Sequence, residues 1–513
     1  MPADLRTSPL AIPLSTLGGG ALTDVLGADA FAVAVDQRED GPGAAEEAVG
    51  AADALGVDLA DALARHKVTG EVGVLTLPLG GDGPAPSALH LVGIGDASAT
   101  ALRRAGAALA RAAKGSTHLA TSVAVGADDA GLRAFTEGVL LGAYAFTRKS
   151  EPPKKAPPAQ IDVVVDSPQA RRVAFDRAVI TARAVHLARD LANTPSSEKH
   201  PAWLAAQAQR VAAKAGLTVR IRDEAQLAAQ GFGGIVAVGQ GSARPPRLIE
   251  LAYHPKGATD RTPHVVLVGK GITFDTGGLS LKPREAMAAM KTDMAAGGAV
   301  IAVLAALGEL DLAVRVTGLV PAAENMPGAS AYRPGDVVRH YGGTTSEVFN
   351  TDAEGRMVLA DALAYADREL DPDVLVDLAT LTGAASVGLG RRHAALFTAE
   401  EDLVHSLVAA SQDSGERVWR LPLVEDYRRS LDSEIADLAH ICRDPKISGG
   451  AIVAALFLRE FVGDRRWVHL DIAGPARSDA DEHEVTKGAT GFGVRLLLRW
   501  LEAMPRAATN ARR

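Results

Sequence analysis

Cysteine is all but missing from this sequence: Cys442 stands alone among 513 residues. No intrachain disulfide and no multi-cysteine zinc site can form, which fits a reducing compartment, and Cys442 reads as an inert thiol. Positive charge is in deficit, with 54 Lys and Arg against 62 Asp and Glu and a net charge of −8. That balance argues against a protein whose main work is coating DNA or an anionic membrane, so a nucleic-acid partner is not expected. The opening stretch Met1–Leu10 carries Asp4 beside Arg6 and is broken by Pro2 and Pro9, unlike a secretory leader. No stretch reads as the roughly 18 apolar residues that span a bilayer. The expected location is cytoplasmic, with no membrane partner.

Several catalytic signatures are missing as well. His483-Glu484 lacks the second histidine of a helical zinc-protease motif. No glycine-rich phosphate loop ending in Gly-Lys-Ser/Thr occurs, and no Gly-x-Ser-x-Gly elbow. His469 lies in an apolar strand candidate and reads as a satisfied core histidine.

What is present is α/β alternation. Hydrophobic residues make up 47% and charged residues 23%, values of a globular chain long enough for about two to four domains. Short apolar runs predict strands at 31–35, 72–77, 89–94, 122–125 and 161–165, with helices at 43–66, 98–114 and 129–147 between them. The charged, Pro-rich stretch 148–160 reads as an exposed loop. Ser167 then opens a long amphipathic helix to about Ala192. Beyond it, strands are expected at 248–253, 264–268, 314–320, 374–378 and 468–472, with helices at 201–215, 298–307, 357–370 and 450–462. The tail Arg506–Arg513 reads as frayed. The expected organisation is an N-terminal α/β domain over 1–166, a linker helix over 167–192 and a C-terminal catalytic domain over 193–513. Each domain is expected to hold a mixed sheet flanked by helices.

Chemistry concentrates in two segments. A strand at 265–268 delivers Gly269-Lys270-Gly271-Ile272-Thr273-Phe274-Asp275-Thr276-Gly277-Gly278, then Lys282 and, after a short link, Met290-Lys291-Thr292-Asp293. Ligand sites in open α/β sheets collect beyond the carboxyl ends of strands, and glycines allow close backbone approach there. The second segment, Asn350-Thr351-Asp352-Ala353-Glu354-Gly355-Arg356, is expected to follow a strand at 347–349 and precede a helix from Met357. Asp352 and Glu354, two apart on an extended exit, can turn toward one point, and Arg356 can hold an anion. Four clustered carboxylates would be prohibitively costly to bury unpaired, but two divalent cations would neutralise them. Oxygen donors suit Mn²⁺, Mg²⁺ or Zn²⁺, and paired metals are an established hydrolytic device.

The segment 350–356 resembles the signature of the cytosolic leucyl aminopeptidase family. The stretches 269–283 and 290–298 are similar to the same family in order and type. The likeness continues through Arg189–Pro195, Val238–Ser242, Pro245–Ile249, Asp377–Ala384 and Trp467–Gly474, and covers roughly 185–500.

This resemblance implies two divalent ions per subunit, Mn²⁺ or Zn²⁺. Lys270, Asp275, Asp293 and Glu354 would hold one, and Asp275, Asp352 and Glu354 the other. Lys282 would stabilise the oxyanion, and Arg356 would anchor a bicarbonate that shuttles protons. The implied reaction is attack by a hydroxide held between two metals on the first peptide bond of a substrate with a free amine. Met290, Thr380, Leu381, Gly383, Ala473 and Ala476 would bind the substrate side chain, with Leu-type preference. Many relatives carry a bulkier methionine where Ala476 stands, so the pocket here would be roomier. The family also implies a homohexamer. Two alternatives are a DNA-binding or regulatory protein on the same fold and a two-metal hydrolase acting on a phosphoester or another amide.

Overall fold

The computed structural model describes residues 12–38, 41–80, 86–151 and 153–505. The opening stretch Met1–Leu10 and the tail Arg506–Arg513 lie outside them. The chain forms two compact units. One comprises the residues up to His186 together with Asp479–Lys487; the other comprises Leu187–Ser478 and the residues from Gly488 onward.

The first unit is built on a seven-stranded mixed sheet. Its order is Leu14–Gly18, Gln160–Val164, His118–Thr121, Ala30–Arg38, Ala88–Gly93 and Gly73–Pro78, with Gly41–Gly43 folded back on Ala30–Arg38. All pairings are parallel except that of Gly73–Pro78 with Ala88–Gly93 and the 41–43 return. The strand expected at 122–125 lies instead at His118–Thr121, where it pairs residue for residue with Gln160–Val163. The apolar run continues past the strand because the turn that follows is also buried. The helix expected over 43–66 is two, Glu46–Ala54 and Leu59–Arg65. Gly56, at φ +72°, turns the chain between them, and Asp58 caps the second by accepting from Asp61 N. Ala99–Ala112 and Asp129–Gly142 begin at side-chain caps from Ser98 and Asp128.

The second unit carries a nine-stranded mixed sheet. From one edge it runs Arg417–Arg420, His393–Phe397, Trp467–Asp471, Val374–Ala379, His264–Gly269, Arg315–Asn325, Arg247–Tyr253 and Thr218–Arg222, with Gly271–Asp275 paired to the far end of Arg315–Asn325. Its centre is parallel: Trp467–Asp471, Val374–Ala379, His264–Gly269 and Arg315–Asn325 point the same way. These strands are apolar and almost wholly buried, as strands covered on both faces must be. Helices Ala295–Leu307 and Glu354–Tyr365 are also buried nearly all round. The 18-residue stretch Met290–Leu307 is, contrary to expectation, long and apolar enough to cross a membrane, but 83% of it is buried inside this unit, as in a core helix.

Candidate metal centre

The parallel strands of the second unit set the site at their carboxyl ends. Lys270 occupies the break between His264–Gly269 and Gly271–Asp275. Its N–H donates to Leu378 O at 3.0 Å and its carbonyl accepts from Gly297 N at 2.9 Å, so strand and helix both fix its backbone. Asp275 ends the next strand. Asp293 stands two residues before helix Ala295–Leu307, and Glu354 is the first residue of helix Glu354–Tyr365. The helix therefore starts three residues earlier than Met357, and two of the acids sit beside helix N-termini, where the dipole favours negative charge.

Three carboxylates meet here. One oxygen from each of Asp275, Asp293 and Glu354 lies within 4.8 Å of the others, and all three residues are buried. Asp352 stands beside this trio and is joined to it by Lys282, whose Nζ lies 2.9 Å from Asp275 Oδ2 and also pairs with Asp352 Oδ1. Lys270 Nζ lies 2.9 Å from Asp293 Oδ2 and 2.7 Å from Glu354 Oε1, and donates to Thr380 O at 2.9 Å. Two glycines permit this crowding. A Cβ at Gly355 would sit 2.7 Å from Lys270 Cε, and one at Gly277 would sit 2.9 Å from Asp352 Oδ1.

The electrostatics mark an excess of negative charge. Four carboxylates face two ammonium groups. Burial pushes the Glu354 carboxyl upward and Asp275 adds repulsion; Lys270 only partly offsets them. Burial likewise raises Asp293, against the pull of Lys270. Burial opposes the charge on Lys270 and Lys282, but the surrounding carboxylates outweigh it and hold both ammonium groups above lysine's usual range. Asp293 Oδ2, Asp352 Oδ1 and Glu354 Oε1 are buried and each lies in ion-pair reach of a lysine, with no other hydrogen-bond donor among the described residues. Hard oxygen donors with unengaged lone pairs and surplus negative charge fit divalent cations.

Sequence reasoning missed several supporting groups. Asn325, at the end of its strand, donates Nδ2 to Asp275 Oδ1 at 2.8 Å and to Thr351 O at 3.0 Å. Tyr332 donates its hydroxyl to the same Thr351 carbonyl at 2.9 Å. Thr380, expected only as a pocket residue, donates Oγ1 to Asp293 Oδ1 at 2.6 Å. The polar pair Glu324-Asn325 closing an apolar strand was the available signal.

Arg356 is buried beside this centre. It donates Nη1 to His440 O at 2.7 Å, while its Nε–H is buried with no hydrogen-bond partner among the described residues. Burial draws its guanidinium down to about 10. Of the expected pocket residues, Met290 opens the turn whose carbonyl accepts from Asp293 N at 3.2 Å. Leu381 and Ala473 donate their N–H groups to one carboxylate, that of Asp471. Gly383 is the exposed first residue of helix Gly383–Leu389. Ala476 is 2% exposed, with its N–H on Ile472 O at 3.0 Å.

Two other histidines form buried networks away from the carboxylates. His469 Nδ1 lies 2.6 Å from Asp377 Oδ1 in a wholly buried pair, in keeping with a core role. His340 lies 3.1 Å from Asp361 Oδ1 and 2.7 Å from Ser346 Oγ, a Ser–His–Asp row. All three residues are at most 1% exposed, so no substrate reaches the hydroxyl.

The catalytic domain of the cytosol aminopeptidase family matches residues 186–498, and the N-terminal domain of the same family matches residues 32–152. A probable cytosol aminopeptidase of Leifsonia xyli subsp. xyli is 43% identical, over 96% of this chain and 98% of its own length. One of Rhodococcus erythropolis is 41% identical, over 93% of this chain and 94% of its own. Among solved structures, the bottromycin maturation enzyme BotP has a TM-score of 0.81 at 40% identity and covers 93% of this chain and 99% of its own. A structure of that enzyme in complex with Mn matches equally well. A tomato leucine aminopeptidase mutant has a TM-score of 0.83 at 33% identity, covering 96% of each chain.

Proposed function

This chain belongs to the cytosol aminopeptidase family and is a metal-dependent aminopeptidase, and we propose that it releases Leu-type N-terminal residues from peptides at a centre for two divalent ions. The observation that carries this reading is the buried trio Asp275, Asp293 and Glu354, with oxygens within 4.8 Å of one another. Lys270, Asp275, Asp293 and Glu354 would hold one ion, and Asp275, Asp352 and Glu354 the other. When bound, Mn²⁺ or Zn²⁺ would supply Lewis acidity toward the scissile carbonyl and a water acidic enough to attack at neutral pH.

The chain's own groups do the rest. The Lys282 ammonium, held between Asp275 and Asp352, donates a hydrogen bond to the oxygen on which charge develops. Arg356 offers its unpartnered Nε–H to a bicarbonate anion. Asn325 and Thr380 hold Asp275 and Asp293 in orientation, as supporting groups of a metal site do. Met290, Thr380, Leu381, Gly383, Ala473 and Ala476 would receive the substrate side chain. We further propose a cytoplasmic homohexamer.

The test compares hydrolysis of leucyl anilide with that of phenyl phosphate, with Mn²⁺ or Zn²⁺ added. Leucyl anilide cleaved and phenyl phosphate untouched supports the reading, and the reverse refutes it. Because a 40% identical enzyme is described as acting in bottromycin maturation, the panel includes anilides of small, acidic and aromatic residues.

A further inference from the structure

We propose that Asp471 is a positioning residue for substrate selectivity: its carboxylate clamps together the two loops that carry Leu381 and Gly383 on one side and Ala473 on the other, residues proposed above to receive the substrate side chain. The inference rests on the aminopeptidase reading above and deepens it.

The clamp follows from strand register. Val374–Ala379 and Trp467–Asp471 run parallel, with Leu378 opposite Leu470 and Ala379 opposite Asp471. Their loops therefore leave the sheet side by side at one level. The first carries Thr380, Leu381 and Gly383; the second carries Ala473 and Ala476. Ile472 N donates across to Ala379 O at 2.8 Å, which extends the pairing one step past the strands.

At that step Asp471, only 1% exposed, takes over. Its Oδ1 accepts from Leu381 N and Ala473 N, each at 3.1 Å, one donor from each loop. Its Oδ2 accepts from Thr382 N at 3.0 Å and Thr382 Oγ1 at 2.6 Å. Thr382 Oγ1 in turn accepts from Ala385 N at 3.1 Å and caps helix Gly383–Leu389. One buried carboxylate thus sets Leu381, the start of the helix at Gly383, and Ala473 relative to one another.

A carboxylate is required rather than an amide. All four partners are donors, and both oxygens are used twice. Asparagine would offer one oxygen and turn its own N–H groups toward Thr382 donors. A buried donor left without an acceptor pushes its loop away. Asp471 is not among the carboxylates that cluster for metal. Its loss should therefore blur the pocket and leave the ions in place, which separates it from Asp293 and Glu354.

The test uses the full chain loaded with Mn²⁺. Asp471→Asn and Thr382→Val are compared with the unsubstituted protein by elemental analysis and by kcat and KM on alanyl, leucyl, methionyl and phenylalanyl anilides. The expected result is wild-type metal content and a roughly tenfold flattening of the preference among side chains in Asp471→Asn, the scale of one misplaced methylene contact. The loss should fall on KM more than on kcat. Thr382→Val, which removes the hydroxyl donor and the helix cap on Ala385 N but keeps the three backbone donors to Asp471, should show a smaller change in the same direction, and it decides the matter if Asp471→Asn does not fold. An unchanged preference, or a uniform loss across substrates that follows lost metal, overturns the inference and leaves the aminopeptidase reading standing. Failure of the unsubstituted protein to cleave any anilide overturns both.

Discussion

Replacing Lys270 with methionine removes the ammonium that reaches both Asp293 and Glu354. The side chains involved are 3%, 7% and 2% exposed, so water cannot take its place. At an effective dielectric near 20, each contact of about 3 Å is worth roughly 5–6 kcal/mol. That figure is an upper bound, because a stranded carboxylate takes up a proton instead. Protonating a carboxyl of ordinary pKa at neutral pH costs roughly 3–4 kcal/mol. The expected loss in metal-free protein is therefore about 3–5 kcal/mol, the range for breaking a buried ion pair. Urea unfolding after chelator treatment measures it. Trp203, Trp419, Trp467 and Trp500 all lie in the second unit, so their fluorescence reports its unfolding. A loss below about 1 kcal/mol, the value of a surface pair, would refute the electrostatic account of the site.

Three further outcomes are expected. Lys282→Ala should lower kcat by roughly 10²–10³-fold with metal content kept, the scale for losing an oxyanion donor; metal loss in that variant would make the lysine a structural support instead. Ser346→Ala should leave kcat on leucyl anilide unchanged while lowering the melting temperature, because it strands the buried His340 ring; a large fall in kcat would show that the Ser–His–Asp row takes part in catalysis. In the first unit, burial draws His90 from 6.5 down to about 4. The unfolded chain then binds a proton that the folded chain refuses, so stability should fall as pH drops from about 6.5 toward 4, by roughly 3 kcal/mol in all. Urea midpoints at pH 7 and pH 5 should separate more in the unsubstituted protein than in His90→Asn, and equal separations would show that His90 is not responsible.

The acids that the fold gathers were legible because each lies in a local run that announces itself. Gly269–Gly278 and Asn350–Arg356 combine glycines, acids and a basic residue at strand ends, and Met290–Gly298 sets Lys291 and Asp293 ahead of a glycine pair at a helix start. Their supports were not legible. Asn325 touches Asp275 across 50 residues of sequence, and Asp471 meets Leu381 across 90; only the sheet register brings such pairs together. The central strands were legible from their apolar runs. The edge strands Thr218–Arg222 and Arg417–Arg420 were missed because each is short and charged, with only two apolar residues among its arginines. Helix Val494–Glu502 was missed for a related reason: Arg495 and Arg499, both 4% exposed, interrupt its apolar face yet are buried with it.

On the proposed reading, Asp275, Asp293, Asp352, Glu354 and Lys270 together hold two divalent ions. Elemental analysis after equilibration with Mn²⁺ or Zn²⁺ and removal of free metal tests it most directly, on the unsubstituted protein beside Glu354→Ala. Two ions per chain are expected in the first, and fewer ions with no turnover in the second. No retained ion in the first, or two ions and near-undiminished hydrolysis in the second, would contradict it.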